Sequence, residues 1–144
     1  MRVLLGAPDD ETTEAIIASL NQCGVDEIDH HATVDAMRDR LSTRVELGPE
    51  WELGLLRFPA EATSVLLQSL RSVESFRFLP VVCVHTPAEL DDEGPRFTVG
   101  ANAALILPGE PGQAFDAMVS RAVGFWRDVA VCAAEMTRRT EPNG

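Results

Sequence analysis

Arg57 closes the apolar run in "WELGLLRFPAE", Trp51 to Glu61, where a buried strand gives way to a helix. In α/β proteins the carboxyl ends of such strands gather ligands and reactive groups. A guanidinium there stays cationic at all ordinary pH, donates hydrogen bonds and accepts none. Two outcomes follow for it. Either Arg57 pairs with Asp9 or Asp10 of "PDDE" and locks one conformation of the strand end, or it snorkels to solvent.

Other reactive residue types lie nearby in the pattern. Cys83 and His85 share one face of a strand, the arrangement of a nucleophile and its base. Cys83 falls inside that strand, however, where a thiol is buried and inert, and His85 is expected to be an ordinary hydrogen-bonding side chain. His30 and His31 next to Asp29 suggest metal ligands, but adjacent strand residues point to opposite faces and do not converge. No acid, base and nucleophile set comes together, so no enzyme activity, metal or cofactor is expected.

Composition bounds the partners. The chain has 144 residues, 45% hydrophobic, which suits one globular domain with a core that needs no disulfide or metal. A net charge of −11 opposes nucleic acid and anionic membranes. All 12 Lys+Arg residues are arginine. Cys23, Cys83 and Cys132 form no C-x-x-C pair and read as reduced thiols. The short apolar start "RVLLGA" is no signal peptide and no run reaches spanning length, so a cytoplasmic location is expected.

Short apolar runs alternate with amphipathic ones, the signal of repeated βα units. Strands are predicted in "RVLLGA", "DEIDHHA", "ELGLLRF", "LPVVCV" and "AALIL". The first helix follows "PDDE" and ends at Gly24; the second begins after Thr33 as N-cap. The third, "AEATSVLLQSLRSV", turns Val65, Leu66, Leu70 and Val73 to the core. After the fourth strand a helix starts at Pro87 but meets Gly94-Pro95, so a short or broken one is expected. The last helix spans about Pro111 to Met136. Residues 1–137 are expected to form one domain and 138–144 a flexible tail.

Five βα units, with "GAN" at Gly100 to Asn102, Pro108 after the fifth strand and "FW" at Phe125-Trp126, resemble the receiver domain of bacterial response regulators. The likeness is greatest to the stand-alone receivers that partner phytochrome-type sensor kinases. It implies a flavodoxin-like (CheY-like) doubly wound sheet of order 2-1-3-4-5 in an α/β/α sandwich. It also implies a site where an aspartate ending the third strand accepts a phosphoryl group. An acidic pair holds Mg²⁺, a lysine pairs with the phosphoryl oxygens and a Ser or Thr senses them.

Against that pattern this chain has Arg57 at the acceptor position, Leu107 at the lysine position and His85 at the Ser/Thr position, with Thr86 next to it. Alternation along a continuing strand would turn Thr86 away. The acidic-pair position takes Ala7 and Pro8 without a gap, or Asp9 and Asp10 if the loop register slips by two. A guanidinium and a divalent cation about 4 Å apart repel by several kcal/mol, even at an effective dielectric near ~20. The resemblance therefore implies a pseudo-receiver: a stand-alone regulatory protein of a signalling pathway that works through protein contacts without aspartyl phosphorylation. The alternative is a small-molecule sensor using the degenerate pocket.

The last helix carries one stripe for the sheet, Phe115, Met118, Val119, Ala122, Trp126 and Val129. Phe125, Val131, Cys132 and Met136 lie off it. Together with Trp126 they are the expected contact surface for a protein partner or a homodimer.

Overall fold

The computed structural model describes residues 1–42, 51–73, 76, 79–90 and 100–140, those from 129 onward by backbone alone. Five strands, β1 (Arg2–Gly6), β2 (Glu27–His31), β3 (Leu53–Leu56), β4 (Val81–His85) and β5 (Ala103–Ile106), form one parallel sheet of order β2-β1-β3-β4-β5. The helices are α1 (Glu11–Gln22), α2 (Val34–Ser42), α3 (Ala60–Ser72) and α4 (Gln113–Thr140). This is the sheet order expected from the sequence.

The sheet is apolar on both faces because both are covered. Leu53 to Leu56 and Val81 to Val84 are buried throughout, which is why β3 and β4 read as continuous hydrophobic runs. One core joins Val3, Leu5, Leu53, Leu55, Val82 and Val84 to Ile16 and Leu20 of α1 and to Phe115, Val119 and Val123 of α4. The other joins Leu4, Leu56 and Val81 to Met37 and Leu41 of α2 and to Leu66, Leu67 and Leu70 of α3. Across the first core the Ser19 hydroxyl donates to the Asp116 carboxylate, tying α1 to α4.

Local signals set the helix ends. The Asp10 carboxylate accepts the Thr13 amide (2.9 Å) at the start of α1. At its end Gly24 takes φ 85°, with Gly24 N–H donating to Asn21 and Val25 N–H to Leu20, a Schellman closure. Thr33 caps α2 as expected, its hydroxyl accepting the Ala36 amide at 3.0 Å.

The "GAN" motif is a scaffold device. Arg71, near the end of α3, donates to the carbonyls of Phe76, Leu79 and Gly100 and to the Asn102 side chain. Asn102 in turn accepts the Val81 amide (2.9 Å), so one arginine and one asparagine join the starts of β4 and β5.

Three expectations need correction. Val65 is exposed (41%), and Leu67 takes the inward place beside Leu66 and Leu70, because three consecutive apolar residues cannot all face one core. On α4 the buried stripe is Phe115, Val119 and Val123, with Met118 and Trp126 only partly covered. The same helix continues four residues past Met136, to Thr140, so the chain is helical through Arg138 and Arg139, where a tail was expected. After β4 the chain makes only a 3-10 turn, Pro87–Glu89; the Gly94-Pro95 break lies outside the described residues.

Gly6 at the end of β1 has no room for a side chain. A Cβ there would meet Leu56 Cδ2 and Phe58 Cε2 at 2.9 Å, and Met37 Cε closer still. Gly6→Ala should therefore lower the urea midpoint by an amount equivalent to about 1–3 kcal/mol, with an unchanged m-value. A midpoint equal to wild type would show that Met37 and its neighbours give way freely.

Candidate functional site

The carboxyl ends of β1, β3 and β4 converge on one side chain. The Arg57 amide donates to the Gly6 carbonyl at 2.7 Å, which extends the β1–β3 pairing one step past the strand. Alternation then puts Arg57 on the same face as Leu53 and Leu55, beneath α1. It is 6% exposed and, among the described residues, the only buried charged side chain.

Its guanidinium has two carboxylates, one on each side. Nη1 donates to both Asp10 oxygens, Oδ1 at 2.8 Å and Oδ2 at 2.9 Å, and reaches the Thr13 hydroxyl at 3.0 Å. Nε and Nη2 meet Glu89 Oε1 and Oε2 at 3.1 and 3.0 Å, a two-point contact that matches the planar fork. Glu89 Oε1 also accepts the Thr86 amide (2.8 Å) and hydroxyl (3.1 Å). Asp10 and Glu89 are thus capping groups, one for α1 and one for the turn after β4, and they share one cation.

The electrostatics close locally. Burial alone would push the Asp10 carboxyl up, but the Thr13 amide, the Arg57 hydrogen bonds and charge, and the Thr13 hydroxyl outweigh it. The group ends below its ordinary value of 3.8. Its place at the N-terminus of α1 favours the anion as well.

This arrangement can hold a loop in place. Arg57 is neither nucleophile nor base, and its partners' oxygens are already engaged. A divalent cation does not fit these residues, since the guanidinium fills the space between the carboxylates and brings its own positive charge. Among the described residues, no cluster of three or more His, Cys, Asp or Glu could hold a metal.

Solved structures with the same backbone are at hand. A phosphorylated cyanobacterial phytochrome response regulator is 19% identical, with a TM-score of 0.71 over 89% of this chain and 94% of that one. The receiver domain of a sensor histidine kinase from Pseudomonas aeruginosa, which holds magnesium in its active site cleft, is 16% identical, with a TM-score of 0.65 over 87% and 95%. A chemotaxis response regulator of Vibrio cholerae is 13% identical, with a TM-score of 0.61 over 88% and 98%. The fold is that of a receiver domain. At these identities the likeness carries the architecture alone. No family model matches the chain, and no curated protein does.

Placed on this receiver fold, the residues singled out in the sequence separate into groups. Arg57 and Asp10 meet, as the ion-pair reading requires; Asp9 is exposed and takes no part in the cluster. Thr86, which a continuing strand would have turned away, is buried and joins the cluster, whereas His85 is half-buried and contributes its carbonyl to the Leu107 amide (2.8 Å). The reason is that β4 ends at His85, so alternation no longer governs Thr86. Leu107 is 1% exposed and belongs to the core with Phe115 and Val119. Cys83 is buried within β4. His30 meets the Ala7 carbonyl and His31 meets Asp29, two separate contacts.

Glu89 and Thr13 were not anticipated. Glu89 was legible: "TPAE", Thr86 to Glu89, has the Thr-x-x-Glu spacing of a capping box with proline at the first helical position. On α4, Phe125 is 60% exposed and packs edge-on against Trp126, whose ring is partly covered by the first core. Val131, Cys132 and Met136 lie on the same helix, with side chains outside the described residues.

The depressed Asp10 carboxyl makes stability depend on pH. Because its folded value lies below the unfolded one, its contribution is complete above the unfolded pKa and is lost as pH falls through the folded one. Asp10→Asn keeps a good N-cap. It should lower the urea midpoint near neutral pH, with the gap from wild type closing as acid protonates Asp10. A gap that stays constant with pH would show that the charge of Asp10 contributes nothing.

Proposed function

We propose that this chain is a receiver-like signalling protein that acts through contacts with other proteins and without aspartyl phosphorylation. The observation that carries the reading is the buried Arg57, held by Asp10 and Glu89 where β3 ends. In a phosphorylatable receiver that position supplies a nucleophilic carboxylate, and here it supplies a cation already neutralised from both sides. Leu107 in the core supports the same reading, since no ammonium stands there to meet a phosphoryl group. A role as an enzyme is disfavoured for the same reasons.

The contact surface is best supported on α4. Phe125 is one of two large apolar side chains exposed among the described residues, and it stands beside the half-covered Trp126. Among the described residues no helix is long and apolar enough to cross a membrane, which suits a protein that meets its partners in solution in the cytoplasm.

Incubation with acetyl phosphate and Mg²⁺ should give no phosphoryl adduct on intact-mass analysis. A phosphorylated species would overturn the reading. A thermal-shift screen of small metabolites should likewise leave the melting temperature unchanged, whereas saturable stabilisation would favour ligand sensing. For the surface, Phe125→Asp should weaken homodimerisation or partner capture by about tenfold without altering the melting temperature. Wild-type association in the variant would place the contact elsewhere.

A further inference from the structure

The two capping carboxylates contact the same guanidinium from different sides. Nη1 serves Asp10 and Thr13 at the head of α1, whereas Nε and Nη2 serve Glu89, which in turn holds the Thr86 amide and hydroxyl. Among the described residues, the hydrogen bonds that join the Asp10–Thr13 turn to the Thr86–Leu90 segment all pass through Arg57. The fork is planar and rigid, so its position relative to one carboxylate fixes its position relative to the other. It is also nearly buried, so it cannot exchange a lost partner for water without leaving its place.

From this geometry we infer that Arg57 couples the two caps: a change that frees Asp10 loosens the Thr86–Leu90 segment, and a change that frees Glu89 loosens the first turn of α1. The coupling is reciprocal because it is a free energy shared between two sites. A protein that binds over either segment would thereby alter the other across the strand ends, with no covalent modification. This deepens the reading of the site as one that signals by contact, and it names the side chain that carries the signal.

The amides of Thr13 and Thr86 report the two caps directly, since each donates to one of the carboxylates. Amide hydrogen exchange by NMR near neutral pH should show Thr86 exchanging about three- to tenfold faster in Asp10→Asn, and Thr13 similarly faster in Glu89→Gln. Asp9→Asn removes a neighbouring exposed charge and should change neither. Arg57→Lys keeps the cation but loses the fork and should speed exchange at both amides. If each carboxylate substitution moves only the amide it binds, or if Arg57→Lys moves neither, the caps are independent and the inference fails. Independent caps would leave the proposed function standing, and a phosphoryl adduct would sink that function while leaving the coupling intact.

Discussion

A guanidinium taken out of water is among the most demanding groups a small domain can bury, and the strand ends of this protein are arranged around that demand. Desolvating such an ion costs several kcal/mol unless charges and hydrogen bonds replace the lost water. Arg57 recovers both from Asp10 on one side and Glu89 on the other, two residues that reach it from the separate segments after β1 and β4. The cluster carries one positive and two negative charges, so the local field remains mildly acidic, in keeping with a chain whose formal charge is −11. Everything at this end of the sheet follows from satisfying one cation.

The two cores explain why that cation sits where it does. β1 and β3 are pinned on one face by α1 and α4 and on the other by α2 and α3, with Gly6 and Leu56 in register. The backbone that presents Arg57 is therefore set by packing and by the Gly6 carbonyl, and the side chain has little freedom to leave. Its partners are less enclosed, because Asp10 and Glu89 both remain partly open to solvent. A buried centre with one half-exposed carboxylate on each side joins two surface segments through a single side chain.

Much of this was legible from residue order. The continuous apolar runs of β3 and β4 announced a sheet covered on both sides, the alternation of strands and helices indicated repeated βα units, and the resemblance to receiver domains implied the order. The pairing of Arg57 with an acidic residue after β1 was one of two outcomes the sequence left open, the other being an arginine that snorkels to solvent, and the structure has the pair. Which acid, Asp9 or Asp10, depended on the loop register, and the N-cap geometry of α1 decided it. The direction of Thr86 depended on whether the strand continued past His85; it does not, and Pro87 has no amide to extend the ladder. Val65 was misjudged because a run of three apolar residues on a helix leaves the phase of the buried face open. The exposure of Phe125 was legible from its place off the sheet-facing stripe, whereas Trp126, placed on that stripe, is only partly covered.

Leu107 ties what the strand ends can accept to the core beneath them. It lies in the first core among Phe115, Val119 and Val84, 1% exposed. A lysine at that position would have to carry its ammonium out of a hydrocarbon environment, and an aspartate at position 57 would leave Asp10 and Glu89 beside a third anion. Either change alone is destabilising, and each becomes tolerable only once the other and the carboxylate partners have changed as well. Placing an aspartate at position 57 and a lysine at position 107 would therefore need several substitutions at once.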